Sequence, residues 1–341
     1  MLTSRTLFAV TPASLRRVGA GLVRPECVLA LASGHVGVPD WSGAGGVAII
    51  HPGGFVGRVQ ARGFDRPLRA NGIALEPGGA AIVAQLGPDD GGVFRLRPDG
   101  EVEPVVTEVD GVALPPTNFV LRDGDGRLWI TVSTRRRPRE LGFRPDVGDG
   151  FIVLADRRGA RIVADGLGYT NECLLSPDGA TLWVNETFGR RLSAFRVAAD
   201  GSLSDRRIVS AFGPGTFPDG LALDAEGGLW LTSPVSNRIV RVAPDGSATT
   251  LLEDADPAHV AAVEQSWRAG TMGRPHLDAV TGAVLKGLSS LAFGGADLRT
   301  AYLGCLQGDH IHAFTTPVAG VAPPHWRYDL GPLTQLPDTS A

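Results

Sequence analysis

Thr216-Phe217-Pro218-Asp219-Gly220-Leu221-Ala222-Leu223-Asp224-Ala225-Glu226-Gly227-Gly228-Leu229-Trp230-Leu231-Thr232 reads as a β-hairpin with a carboxylate at its mouth. Asp219 opens a short alternating apolar run, an Asp/Glu/Gly turn follows, and a second apolar run carries Trp230. Related stretches run from Asn118 through Asp123-Gly124-Asp125-Gly126 to Trp129, and from Asn171 through Ser176-Pro177-Asp178-Gly179 to Trp183. Each copy begins with a side chain able to ligate a metal through oxygen.

A second repeated unit is a strand rich in β-branched and aromatic residues, often ending in a Pro/Asp/Gly turn. Six copies begin at Gly46, Gly92, Gly150, Arg191, Asn237 and Asp309. Before each of the last five lies a hairpin with its own turn, at Pro77-Gly78-Gly79, Asp123–Gly126, Ser176–Gly179, Asp224–Gly228 and Gly294–Asp297. Two inner strands, the repeated third strand and room for a fourth, at intervals of roughly 40 to 60 residues, are the pattern of propeller blades. The expected fold is all-β, a six-bladed β-propeller with four-stranded antiparallel blades, and residues 1–341 form a single domain. An insert at about 253–287 precedes the last blade. Within it, Asp256-Pro257 followed by helical apolar spacing predicts one short helix over a mouth of the propeller. Ring closure is expected from Thr6–Val10 and His325–Leu330, because an open sheet edge is a liability.

Composition agrees with a turn-rich folded chain: 341 residues carry 46 Gly and 25 Pro, with 43% hydrophobic residues. A net charge of −4 offers no general nucleic-acid or anionic-membrane surface, so small molecules are the expected partners. Cys27, Cys173 and Cys305 are odd in number and lack metal spacing, which argues against a disulfide framework or a thiolate zinc site. No apolar run is long enough for a signal core or a membrane span, and the expected location is the cytoplasm.

In a propeller the innermost strands start around one central channel, so their first residues converge however far apart they lie in sequence. Glu26, Asn118, Asn171 and Asp219 open such strands. Two carboxylates and two amide oxygens are a hard-oxygen set suited to one divalent cation, Ca²⁺ before Mg²⁺ or Mn²⁺, with Zn²⁺ less natural. Asx residues opening a strand also serve as plain turn residues, so each position alone is ambiguous.

The order Pro25-Glu26, Asn118, Asn171 and Pro218-Asp219-Gly220, each ahead of its own strand and turn, resembles the gluconolactonase/regucalcin (senescence-marker) family of six-bladed propellers. The resemblance implies that Glu26, Asn118, Asn171 and Asp219 hold the cation and that Asp219 is also the general base of a metal-dependent lactone hydrolase. The family commonly has Asn-Asp where this chain has Asn118-Phe119, and Asn-Gly where it has Asn171-Glu172. Phe119 and Glu172 are therefore candidate substrate-binding residues, His276 is another because its insert is expected over a mouth of the propeller, and an apolar Phe119 predicts a substrate less hydroxylated than a sugar lactone. Another metal-assisted reaction on a carbonyl or phosphoester, and a non-catalytic metal- or metabolite-binding propeller, remain open.

Three further features have two readings. Trp129, Trp183 and Trp230 fit packing between blades better than a stacking platform. The run Arg135–Glu140 reads as a solvated loop or as a grip for a carboxylate or phosphate. His310 and His312 share one strand face and fit a structural role.

Overall fold

A computed structural model describes residues 8–339. Six four-stranded antiparallel sheets form the blades of a propeller. Blade 1 comprises Leu29–Ala30, Val36–Asp40, Gly46–Ile50 and Val56–Gln60, from the channel outward. Blade 2 is Ala70–Leu75, Ala81–Gln85, Val93–Leu96 and Val102–Val106; blade 3 is Thr117–Arg122, Leu128–Val132, Gly150–Asp156 and Gly159–Leu167. Blade 4 is Thr170–Leu175, Thr181–Glu186, Arg191–Val197 and Leu203–Ala211, and blade 5 is Leu221–Leu223, Leu229–Ser233, Arg238–Val242 and Ala248–Leu252. Each recurring apolar strand marked in the sequence is the third of its blade. That position is covered on both faces by neighbouring blades, hence its nearly unbroken apolar character.

Ring closure differs from the expectation. Blade 6 takes Leu288–Gly294, Thr300–Cys305 and Ile311–Thr315 from the end of the chain and Arg16–Val18 from its beginning. Arg17 pairs with His312 in that outer ladder. Of the expected closing segment, Thr6 and Leu7 lie outside the described residues, while Val10 donates its N–H to Leu251 O at 2.8 Å without joining a strand. The sequence signal was apolarity, whereas an outermost strand half open to water needs little of it.

His325–Leu330 is no strand either. It folds across the hairpin-turn end of the channel, where Trp326 O accepts from Ala32 N at 2.8 Å and Asp329 O accepts from Gly78 N at 2.9 Å. Leu330 and Leu333 are buried there against the core.

Two buried aspartates explain the recurring tryptophans. Asp123 accepts the Trp129 indole N–H at 2.9 Å, and Asp224 accepts that of Trp230 at 2.8 Å. Ser176 occupies the corresponding position in blade 4, and Trp183 is only half buried. The insert contains two helices rather than one, α1 (Pro257–Arg268), capped by Asp256, and α2 (Arg274–Asp278).

Candidate metal and substrate site

Glu26, Asn118, Asn171 and Asp219 line one small cavity at the mouth opposite the hairpin turns, and all four are at most 7% exposed. Their convergence follows from blade repetition: Asn118, Asn171 and Asp219 each stand five residues ahead of the turn residues Asp123, Ser176 and Asp224. Asn71 holds the same place ahead of Glu76 in blade 2, an equivalence the sequence reading missed because that blade's turn begins without Asp or Ser. Its Nδ2 donates to Asn118 O at 3.0 Å, leaving its Oδ1 buried without a partner.

Local bonding fixes each backbone. Asn185 Nδ2 donates to both Asp219 O and Gly220 O at 3.0 Å, and Asp219 N donates to Thr232 O. Gly220 is required by close approach, since a Cβ there would lie 2.5 Å from Ser290 Cα on the next inner strand. Asn171 Nδ2 donates to Thr187 Oγ1 at 3.0 Å, and that hydroxyl donates to Pro218 O at 2.8 Å. The amide orientation of Asn171 is thereby coupled to the loop that carries Asp219. Ser289 Oγ donates to Glu26 O across the seam between blades 6 and 1.

The donor oxygens, rather than the net charge of the cavity, suit a cation. Burial, reinforced by the Glu26 and Glu172 carboxylates, pushes the Asp219 carboxyl well above the usual carboxylate range, with Arg24 opposing. Asn118 Oδ1 and Glu26 Oε2 are buried without a hydrogen-bond donor of good geometry, although Arg24 Nη2 lies 2.7 Å from Glu26 Oε2 as an ion pair. Orphaned buried oxygens beside a disfavoured carboxylate are what a hard cation would satisfy, so the residues present fit one. Among the described residues no three His, Cys, Asp or Glu side chains gather as a metal group. A cation here therefore depends on amide oxygens, with water or substrate completing its shell, and the set is poor for zinc.

Three candidate substrate residues lie elsewhere. Phe119 and Glu172 line a separate chamber of about 520 Å³ on the hairpin-turn side, closed by residues 321–325 and Tyr328. Side chains alternate along a strand, and Phe119 turns away from the mouth to pack against Gly72 of blade 2. Glu172 accepts Leu221 N at 2.9 Å, and burial raises its carboxyl to about 8. His276 lies in α2 and bonds within the insert, to Ser266 Oγ at 2.9 Å and to Gly273. None of the three lines the cavity beside Glu26 and Asp219.

The mouth is lined instead by Arg24, Arg139, Arg274, Leu277 and an aromatic wall of Phe143, Tyr169, Phe188 and Phe217. Phe143 and Phe188 stack at 4.5 Å between centroids, with the Tyr169 edge against both. Arg274 and Leu277 come from the insert, which places α2 at this mouth. Arg139 belongs to the arginine-rich run for which a solvated loop was the plainer reading. Its neighbours Arg135, Arg136 and Arg137 are in fact exposed, whereas the Arg139 side chain is 15% exposed. The Pro138 break and the apolar Leu141 and Phe143 beyond it were the available signal.

The SMP-30/gluconolactonase/LRE-like region model matches residues 57–261. A 6-deoxy-6-sulfogluconolactonase of Pseudomonas putida is 28% identical over 215 residues, covering 62% of each chain. The virginiamycin B lyase of Nocardia farcinica is 29% identical over 158 residues, 46% of this chain and 48% of that one. The chain thus spans about half to three-fifths of the curated relatives it matches. Among solved structures, a gluconolactonase from Xanthomonas campestris has a TM-score of 0.64 at 21% identity, covering 89% of each chain. The calcium-binding protein regucalcin from Agrobacterium tumefaciens has a TM-score of 0.65 at 17% identity, over 95% of this chain and 99% of that one. Those two likenesses concern the fold, while the family model spans well over half of the sequence: the chain belongs to the SMP-30/gluconolactonase/LRE-like family of β-propellers.

Proposed function

We propose that this propeller hydrolyses a lactone, with Glu26, Asn118, Asn171 and Asp219 holding one divalent cation, Ca²⁺ by preference, and Asp219 serving as general base. The observation that supports this most is the convergence of two buried carboxylates, the Asn171 amide and the unpartnered Asn118 Oδ1 at one mouth. Such a cation, when bound, supplies Lewis acidity toward a carbonyl oxygen. Asp219 takes the proton of the attacking water, whose oxygen bonds to the carbonyl carbon. The ring C–O bond then breaks, and the proton passes to the departing alkoxide. Burial and the neighbouring carboxylates raise the proton affinity of Asp219 in the cation-free protein, and a bound cation would oppose that rise and keep it ionised as a base.

Phe119 lines the far chamber and not this mouth, so its apolar ring gives no reason to expect a less hydroxylated substrate here. The cavity itself measures about 40 Å³, well below the several hundred of a typical small-molecule site. Admitting a lactone therefore requires Leu277 and Arg274 of α2 to move outward, a lid motion of the kind common over active sites.

The test is a panel of lactones and linear esters, assayed after chelation and after reloading with Ca²⁺, Mg²⁺, Mn²⁺ or Zn²⁺. Ring opening should vanish on chelation and return with one equivalent of cation. Stoichiometric cation binding with no hydrolysis across the panel would overturn the lactonase reading and favour a metabolite-binding propeller.

A further inference from the structure

The cavity that gathers Glu26 and Asp219 also gathers three guanidinium groups, Arg24, Arg139 and Arg274, from three distant parts of the chain. Arg139 differs from most arginines of this protein, which are held close to carboxylates. Arg95 binds Glu76 through two nitrogens, at 2.7 and 3.1 Å, and Arg161 binds Asp156 at 3.0 and 2.9 Å.

Arg139, by contrast, stands 4.0 Å from Glu140 and donates to Tyr169 Oη at 3.5 Å, the outer limit of a hydrogen bond. Arg24 reaches Glu26 through Nη2, but its Nε is buried without a partner in a residue 8% exposed. Arg274 engages Asp278 at 2.8 Å on the same helix. Donor capacity therefore exceeds acceptor supply at this mouth, and a buried guanidinium with unfilled donors is costly unless a ligand fills them.

Charge leads the same way. Three arginines face Glu26 and Asp219, and a divalent cation on those carboxylates would leave Arg24 without its partner and Arg139 with only the distant Glu140, while Arg274 keeps Asp278. Planar forks of N–H donors match carboxylate, sulfonate or phosphate oxygens better than sugar hydroxyls.

We propose that the substrate is an acidic lactone, whose anionic substituent is held by Arg139 and Arg274, with Arg24 between that group and the reacting carbonyl. This specificity rests on the lactonase reading above, but the anion site itself does not. Arg139, on the loop after the second strand of blade 3, is the principal determinant because it has no close carboxylate of its own. Arg274 rides on α2, so engaging the anion also draws the insert over the site.

Two measurements separate the claims. The first compares kcat/KM for a neutral hexonolactone with that for the same ring carrying a carboxylate or a sulfonate at C6. Wild type should favour the charged lactones at least tenfold, and the carboxylate and sulfonate arms identify which head group is preferred. In Arg139→Met and Arg274→Gln the charged-to-neutral ratio should fall by about tenfold each, while Arg139→Lys, which keeps the charge without the fork, should recover part of it. Equal kcat/KM for neutral and charged lactones in wild type, or a proportional loss on both in the variants, would overturn the proposal.

The second measurement is calorimetric binding of the ring-opened dicarboxylate in the Ca²⁺-loaded protein, which needs no turnover. Binding that weakens at least tenfold in Arg139→Met supports the anion site even if every lactone proves inert. Absence of binding, or equal binding in that variant, overturns it even if neutral lactones are hydrolysed.

Discussion

Arg24 holds its Nη2 2.7 Å from Glu26 Oε2 across a single intervening proline, in a left-handed backbone conformation with φ of +58°. Its guanidinium also lies 4.6 Å from the Trp41 ring centroid, so it is fixed on two sides. The arginine thereby stands in for positive charge beside a carboxylate expected to bind a cation, and the two compete. Arg24→Met should tighten Ca²⁺ binding by on the order of tenfold, equivalent to about 1.4 kcal/mol, by removing a like charge. The same change leaves Glu26 unpaired in the metal-free protein and should lower its Tm, with Ca²⁺ restoring it. Calorimetric titration and thermal unfolding with and without chelator read both effects, and unchanged affinity would show that Glu26 is not a ligand.

Asp219→Asn keeps an oxygen ligand and removes the proton acceptor. A positioned base contributes roughly 10²- to 10⁴-fold, so kcat on any accepted lactone should fall within that range at saturating cation. Glu26→Gln should instead act chiefly through cation affinity and be rescued in part by excess Ca²⁺. Equal, cation-independent losses in both variants would contradict the division of roles.

Asp123 and Asp224 each accept an indole N–H, a nearby arginine Nε and two backbone N–H groups of their own turn. Replacing either by Ala orphans those donors in the core, at a cost of about 1 to 3 kcal/mol or more. Ser176→Ala, at the matching position beside half-buried Trp183, should cost less than either. Urea denaturation of the three variants checks the order.

Glu264 on α1 pairs with Arg190, whose guanidinium lies 3.7 Å from the Trp267 ring centroid and 4.1 Å from that of Phe217. Glu264 also accepts Gly215 N at 2.7 Å. Both partners are nearly buried, so Glu264→Ala leaves an uncompensated charge under the insert and should destabilise its docking by about 3 to 5 kcal/mol. Faster proteolysis within 253–287 and a red-shifted Trp267 emission are the expected readouts, together with a raised KM if the insert covers the substrate.

His312 is 3% exposed on the third strand of blade 6. Burial lowers its pKa to about 4, assisted by His310 and Arg17, with Asp254 acting in the opposite sense. An unfolded histidine takes up its proton near 6.5. Between about 6.5 and 4 the unfolded chain binds more protons than the folded one, so stability present at neutral pH is lost as pH falls through that window. His312→Leu should flatten the decline of Tm between those values relative to wild type, and an identical slope would refute the assignment.

What the sequence determined by itself was set by local chemistry repeated along the chain. Turn residues at regular intervals and alternating apolar runs specify strands and hairpins, and six third strands with shared patterning specify six blades. Because blades place their inner strands around one axis, Asn118, Asn171 and Asp219 could be grouped before any contact was known.

Tertiary structure decided what no local pattern encodes. Arg16–Val18 closes the ring by pairing with Ile311–Thr315, a choice governed by where the two chain ends meet. Phe119 and Glu172 face the far chamber while their neighbours Asn118 and Asn171 face the mouth, because strand alternation and the bulges beside them set direction. In sequence the run containing Arg139 reads either as a solvated loop or as an anion grip, and Arg274 carries no signal of its own. The two arginines became part of the site only when the blade 3 loop and the insert folded over the same opening.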